Sequence, residues 1–146
     1  MDLGGWEEWG RLLAAVGAGG ALGLRAELQA RPAGLRTHIL VAVGSAVFCL
    51  TAGPFLDDDF SDPLRALQGV ASGIGLVAAA TVLKRERGVS GLTTAASIWL
   101  AAALGCDAAL GRPLRAFVLG VLFAALSQLL RVVERRWLGH DRDSPP

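Results

Sequence analysis

Apolar residues run in five long stretches along the chain, and charged residues fall in short clusters between them. The stretches cover residues 9–24, 37–55, 66–83, 91–106 and 116–130. A helix on the surface of a soluble bundle keeps a polar face at every turn, and most of this chain does not. Crossing the hydrocarbon core takes about 20 helical residues, with about 17 as the usual lower limit. The pattern predicts an all-α, polytopic transmembrane bundle of about five spans. The first and last stretches are short for that thickness. Arg11, Arg115 and Arg131 are placed to snorkel from their ends, and Trp6, Trp9 and Trp137 to anchor at the interface. A soluble five-helix protein is the competing expectation.

Composition agrees with the membrane reading. Hydrophobic residues make up 53% and charged residues 18%, against about 25% charged in a soluble domain. A length of 146 residues allows one domain. The membrane domain is expected over residues 1–138, followed by a polar, disordered tail over 139–146. Net charge is +1, which gives no general drive toward nucleic acid. Glu7 and Glu8 precede the first stretch, so it lacks the basic start of a signal peptide and is read as a retained span. Cys49 and Cys106 both fall in apolar stretches and are expected to be small packing residues.

The basic residues set the topology. Arg25, Arg31, Arg36, Lys84, Arg85, Arg87, Arg131, Arg135, Arg136 and Arg142 fall on one side of the predicted spans. Arg11, Arg65, Arg112 and Arg115 fall on the other. The positive-inside rule puts the larger set in the cytoplasm. The N-terminus is then expected outside and the C-terminus inside. There is also a faint repeat. Ala33-Gly34-Leu35-Arg36-Thr37 opens span two, and Ser90-Gly91-Leu92-Thr93-Thr94 opens span four. Two explanations stand: a duplicated hairpin, as some transporters have, or Gly and Thr as ordinary helix-start residues.

Three segments resemble the MgtC/SapB family. The first is Arg31-Pro32-Ala33-Gly34-Leu35-Arg36-Thr37-His38, followed by Gly44-Ser45-Ala46. The second is Asp62-Pro63-Leu64-Arg65 leading into Ser72-Gly73-Ile74-Gly75. The third is Gly91-Leu92-Thr93-Thr94-Ala95-Ala96, followed by Trp99-Leu100 and Ala102-Ala103-Leu104-Gly105. Where the family pattern has Gly-Leu-Glu-Arg-Glu at the end of span one, Arg25 and Ala26 replace the Glu-Arg pair and only Glu27 matches. The resemblance covers the membrane domain. The cytoplasmic C-terminal domain of many members has no counterpart in it. It implies a multi-pass protein of the bacterial inner membrane, tied to magnesium limitation or stress. It further implies a modulator of ion homeostasis that acts on other membrane proteins, the F-type ATP synthase among them. A small ion channel or transporter is the alternative.

The candidate functional residues are Glu27, Arg31, Arg36, Thr37, His38, Thr93, Thr94 and Asp107. Arg31, Arg36, Lys84, Arg85 and Arg87 cluster at the cytoplasmic side, where spans two and four also begin. Basic side chains beside helix N-termini make an anion site; the simpler account is that they hold the loops inside. Thr37, Thr93 and Thr94 lie in the first turns of those two spans. Glu27 and Arg36 are expected to pair across the first cytoplasmic turn. His38 is either a proton-carrying switch or a hydrogen-bonded histidine at a helix start. Asp107 closes span four with Arg112 in reach, and an ionisable residue in a span is a functional suspect.

Gly19 and Gly23, and Gly69 and Gly73 with Gly75, form small-residue stripes. They read as helix packing within the protomer or as a homodimer contact. Asp57, Asp58, Asp59 and Asp62 form an outer acidic loop that either attracts divalent cations or is merely solvated. Neither a metal-ligand cluster nor a cofactor motif nor an enzyme signature emerges.

Overall fold

The computed structural model describes residues 5–52, 63–85 and 88–138. Five helices follow in order: α1 Trp6–Leu28, α2 Leu35–Ala52, α3 Pro63–Ala79, α4 Leu92–Ala109 and α5 Pro113–Val133. A π-helical turn, Glu134–Leu138, continues α5. The two stretches that read as short are the longest helices, 23 residues in α1 and 21 in α5. Both gain length from flanks that carry charge, Glu7, Glu8 and Arg25 in α1 and Arg131 in α5. By length and composition, α2, α4 and α5 can each cross a bilayer.

One element departs from the expectation. Span three was expected to reach residue 83, but α3 ends at Ala79. The Thr81 hydroxyl turns back to the Ala78 carbonyl at 2.7 Å, and the chain leaves the helix. It then forms a small antiparallel hairpin, β1 Leu83–Arg85 with β2 Gly88–Ser90, Lys84 opposite Val89. Apolarity alone carries no signal for that stop, because Val82 and Leu83 continue the apolar run.

Helix ends explain the tight connections. After α1, the Arg31 N–H bonds the Ala26 carbonyl at 3.1 Å and the Ala30 N–H bonds Glu27 at 2.9 Å. This is a Schellman turn, with Ala30 held at φ 50° where glycine is usual. The same turn ends α4, Arg112 N–H to Asp107 and Gly111 N–H to Ala108, both 3.3 Å, now with Gly111 at φ 85°. Pro113 then starts α5, where its missing N–H costs nothing.

The packing is small inside and large outside. Ala15, Ala18, Ala42, Ala46, Ala101, Ala108 and Ala116 are fully buried. Leu13, Leu40, Phe48, Leu76, Leu114, Leu122 and Leu129 face outward. Lipid tails are as apolar as leucine, so large apolar side chains gain little by burial in a bilayer. Small residues instead let backbones approach and gain dispersion contacts. α1 packs on α2, α4 and α5, and α2 also packs on α4. α3 sits at the edge, mainly against α4. A pocket of about 230 Å³ remains between those two helices, lined by Leu67, Val70, Trp99, Cys106 and Asp107.

Candidate functional site

The helices alternate in direction, so the bundle has two polar ends. One gathers the end of α1, the starts of α2 and α4, and the end of α5. Glu27 lies in the last turn of α1. Its carboxylate accepts the Leu35 N–H, the first of α2, at 2.9 Å. An opening helix turn leaves N–H groups unpaired and carries partial positive charge, so a carboxylate there is favourable on both counts. Gly34 is pressed against that carboxylate, and any Cβ there would collide with it. The expected Glu27–Arg36 pair does not form. Glu27 reaches the backbone instead, and Arg36 is exposed. Arg31 is half-buried and donates from Nε to the Gln29 side chain at 2.9 Å. Thr37 is half-buried and Thr93 exposed. Lys84 and Arg85 have their backbone in β1. Arg87, the aspartate loop Asp57 to Asp62 and the tail after residue 138 lie outside the described residues.

His38 is the buried centre of this end, with 0% exposure. Its Nδ1 lies 2.8 Å from the Gly34 carbonyl and its Nε2 2.9 Å from the Ser97 hydroxyl of α4. Ser97 also sits 2.8 Å from the Thr94 carbonyl. Thr94 is itself buried. The donor count fixes two arrangements. A carbonyl only accepts, so Nδ1 carries a proton facing Gly34. In the neutral ring Nε2 accepts the Ser97 O–H. In the imidazolium Nε2 donates to Ser97, whose proton then goes to Thr94. One hydroxyl proton therefore has two destinations, set by the charge of His38. Sequence reasoning placed His38 at a helix start but missed Ser97, which carries no local signal of pairing with a residue 59 positions earlier.

The opposite end is closed by arginines. Arg115 forms a two-pronged contact with Asp107, Nε to Oδ2 at 2.9 Å and Nη2 to Oδ1. Arg112, the partner expected, stands at 3.8 Å from the same carboxylate. Arg11 donates to the Ala109 carbonyl at 3.1 Å, covering an open acceptor at the end of α4. Among the described residues no three His, Cys, Asp or Glu side chains converge. Cys49 and Cys106 are buried in one apolar cluster between α2 and α4.

The glycines behave differently from one another. A Cβ at Gly19 would lie 2.7 Å from the His38 carbonyl, and one at Gly23 2.8 Å from the Leu35 Cα. These two hold α1 against α2. At Gly69, Gly73 and Gly75 a Cβ would meet nothing within 4 Å. Sequence reasoning missed Gly105, which presses on the Ala42 backbone, and Gly120, where a Cβ would lie 2.9 Å from the Ala18 Cα.

This fold, with its glycine-packed α1–α2 hairpin, can be set beside known proteins. A family model described as the MgtC family matches residues 12–136. The chain belongs to the MgtC family. It is 40% identical over 101 residues to YhiD of Escherichia coli K12, provisionally named a magnesium transporter, covering 65% of this chain and 47% of that protein. It is 43% identical over 107 residues to SrpB of Synechococcus elongatus, covering 65% and 59%. It is 39% identical over 113 residues to MgtC of Brucella abortus, covering 77% and 47%. The chain thus spans about half the length of the curated relatives it matches. No solved structure matches it.

Proposed function

We propose that this MgtC-family chain serves magnesium homeostasis from the bacterial inner membrane, crossing it several times. It acts by contact with another membrane protein through its basic end. The F-type ATP synthase is one such partner by family resemblance. The observation that carries this reading is the packing of the bundle centre. Gly19, Gly105 and Gly120 bring backbones into contact where the helices meet, and the neighbouring positions are fully buried alanines. A hydrated divalent ion is far wider than these contacts, because Mg²⁺ gives up its waters reluctantly. Uncommitted chemistry lies at the rim instead: Arg36 and Thr93 are exposed beside the starts of α2 and α4. The name of YhiD supports the link to magnesium.

The test is magnesium-limited growth of a deletion strain carrying wild type or Arg36→Ala. Rescue by wild type alone, at equal membrane abundance, is expected. Normal growth of the deletion strain at low magnesium would sink the proposal. The channel alternative predicts Mg²⁺ flux into proteoliposomes above that of empty vesicles.

A further inference from the structure

A groove of about 630 Å³ opens between the last turns of α1 and the facing side of α5. Leu24, Leu28, Arg25, Gln29, Gln128 and Arg131 line it. Arg25 reaches across to α5, where one terminal nitrogen meets the Gln128 side-chain oxygen. Its Nε and its other terminal nitrogen are sealed from solvent with no hydrogen-bond partner. A charged donor buried without an acceptor is costly. The like charges of Arg131 and Arg31 bear on the same guanidinium and add repulsion. Gln128 is neutral. The unpartnered donors of Arg25 match the acceptor oxygens of an anion that suits a guanidinium fork.

The surroundings say which anion. The groove is half apolar, with Leu24 52% and Leu28 80% exposed. It opens at the helix ends, where a membrane-spanning bundle would meet the headgroups, and α5 presents exposed Leu126, Leu129 and Leu130 nearby. A phosphate beside an arginine pair with hydrocarbon below it is the chemistry of a lipid. We propose that this groove binds an anionic phospholipid, its phosphodiester on Arg25 and Arg131 and its acyl chains along Leu24 and α5. The site is distinct from the exposed Arg36 surface and does not depend on the function proposed above.

Native mass spectrometry of the full chain in neutral detergent tests it, with phosphatidylglycerol or phosphatidylethanolamine added. The expected result is preferential retention of phosphatidylglycerol, reduced about tenfold in Arg25→Gln, the scale of one charged hydrogen-bonding group. Arg131→Gln shifts retention the same way, and Arg36→Gln, outside the groove, leaves it unchanged. Equal retention by wild type and Arg25→Gln would overturn the assignment. Should Arg25→Gln lose helical content by circular dichroism, Arg131→Gln decides alone, and unchanged retention there overturns it. Displacement of the lipid by millimolar inorganic phosphate would mark a free-anion site and overturn it as well.

Discussion

The hairpin α1–α2 and the hairpin α3–α4 open their second helices in the same register, Gly34-Leu35 and Gly91-Leu92, yet are joined in opposite ways. In the first, a Schellman turn and the Glu27 carboxylate fix the corner, and two α1 glycines press into α2. In the second, β1 and β2 intervene, Gly91 at φ 90° sits against the Thr81 carbonyl, and the α3 glycines touch nothing. One small-residue stripe is thus filled and the other open. The motif permits close approach, but only a neighbour at the right depth uses it.

The largest effect should come from filling a used contact. Gly105→Leu would drive a side chain into the Ala42 backbone and is expected to cost about 3 kcal/mol or more. Gly73→Leu should cost less than about 0.5 kcal/mol, as at open surface positions. Thermal unfolding in detergent compares them, and equal losses would erase the distinction between the stripes. His38→Ala comes next, at about 3 kcal/mol for an emptied buried site. Ser97→Ala leaves the ring half-satisfied and is expected to cost about 1 kcal/mol. Glu27→Gln weakens the corner of the first hairpin by about 1 kcal/mol, whereas Arg36→Ala leaves stability unchanged. Matching losses in those two variants would restore the ion pair that the geometry denies. The smallest change is a gain. Ala30→Gly relieves a left-handed alanine and should stabilise by about 0.5 kcal/mol, while Gly111→Ala should destabilise.

Much of the fold was legible because a bilayer demands long apolar helices, and each of the five has a matching apolar stretch. The ends were less legible. Periodicity does not register that Thr81 turns back on Ala78, or that α1 continues past Arg25 to Leu28. In the site, local chemistry was readable and pairing was not. Opposite charge points Glu27 to Arg36, the second residue of α2, but the unpaired N–H of Leu35 takes the carboxylate instead. Asp107 does meet Arg112, at 3.8 Å, but its two-pronged partner Arg115, eight residues on, carried no local signal. Arg25 was visible as one of the topology-setting charges and as a departure from the family pattern, but its buried donors without an acceptor are a property of three dimensions.

The link between His38 and Ser97 also bears on how the chain is made. His38 is translated 59 residues before its partner. The first hairpin therefore enters the bilayer with Nε2 awaiting a hydroxyl not yet synthesised, and docking of α4 completes it. An unfinished chain carries an imidazole whose Nε2 has no hydroxyl to meet, at the polar end of the hairpin, a feature that membrane quality control is expected to read. A chain stopped at Ser90 is expected to be degraded faster than the same chain with His38→Leu. Equal half-lives in a pulse-chase would show that the imidazole is not what marks it.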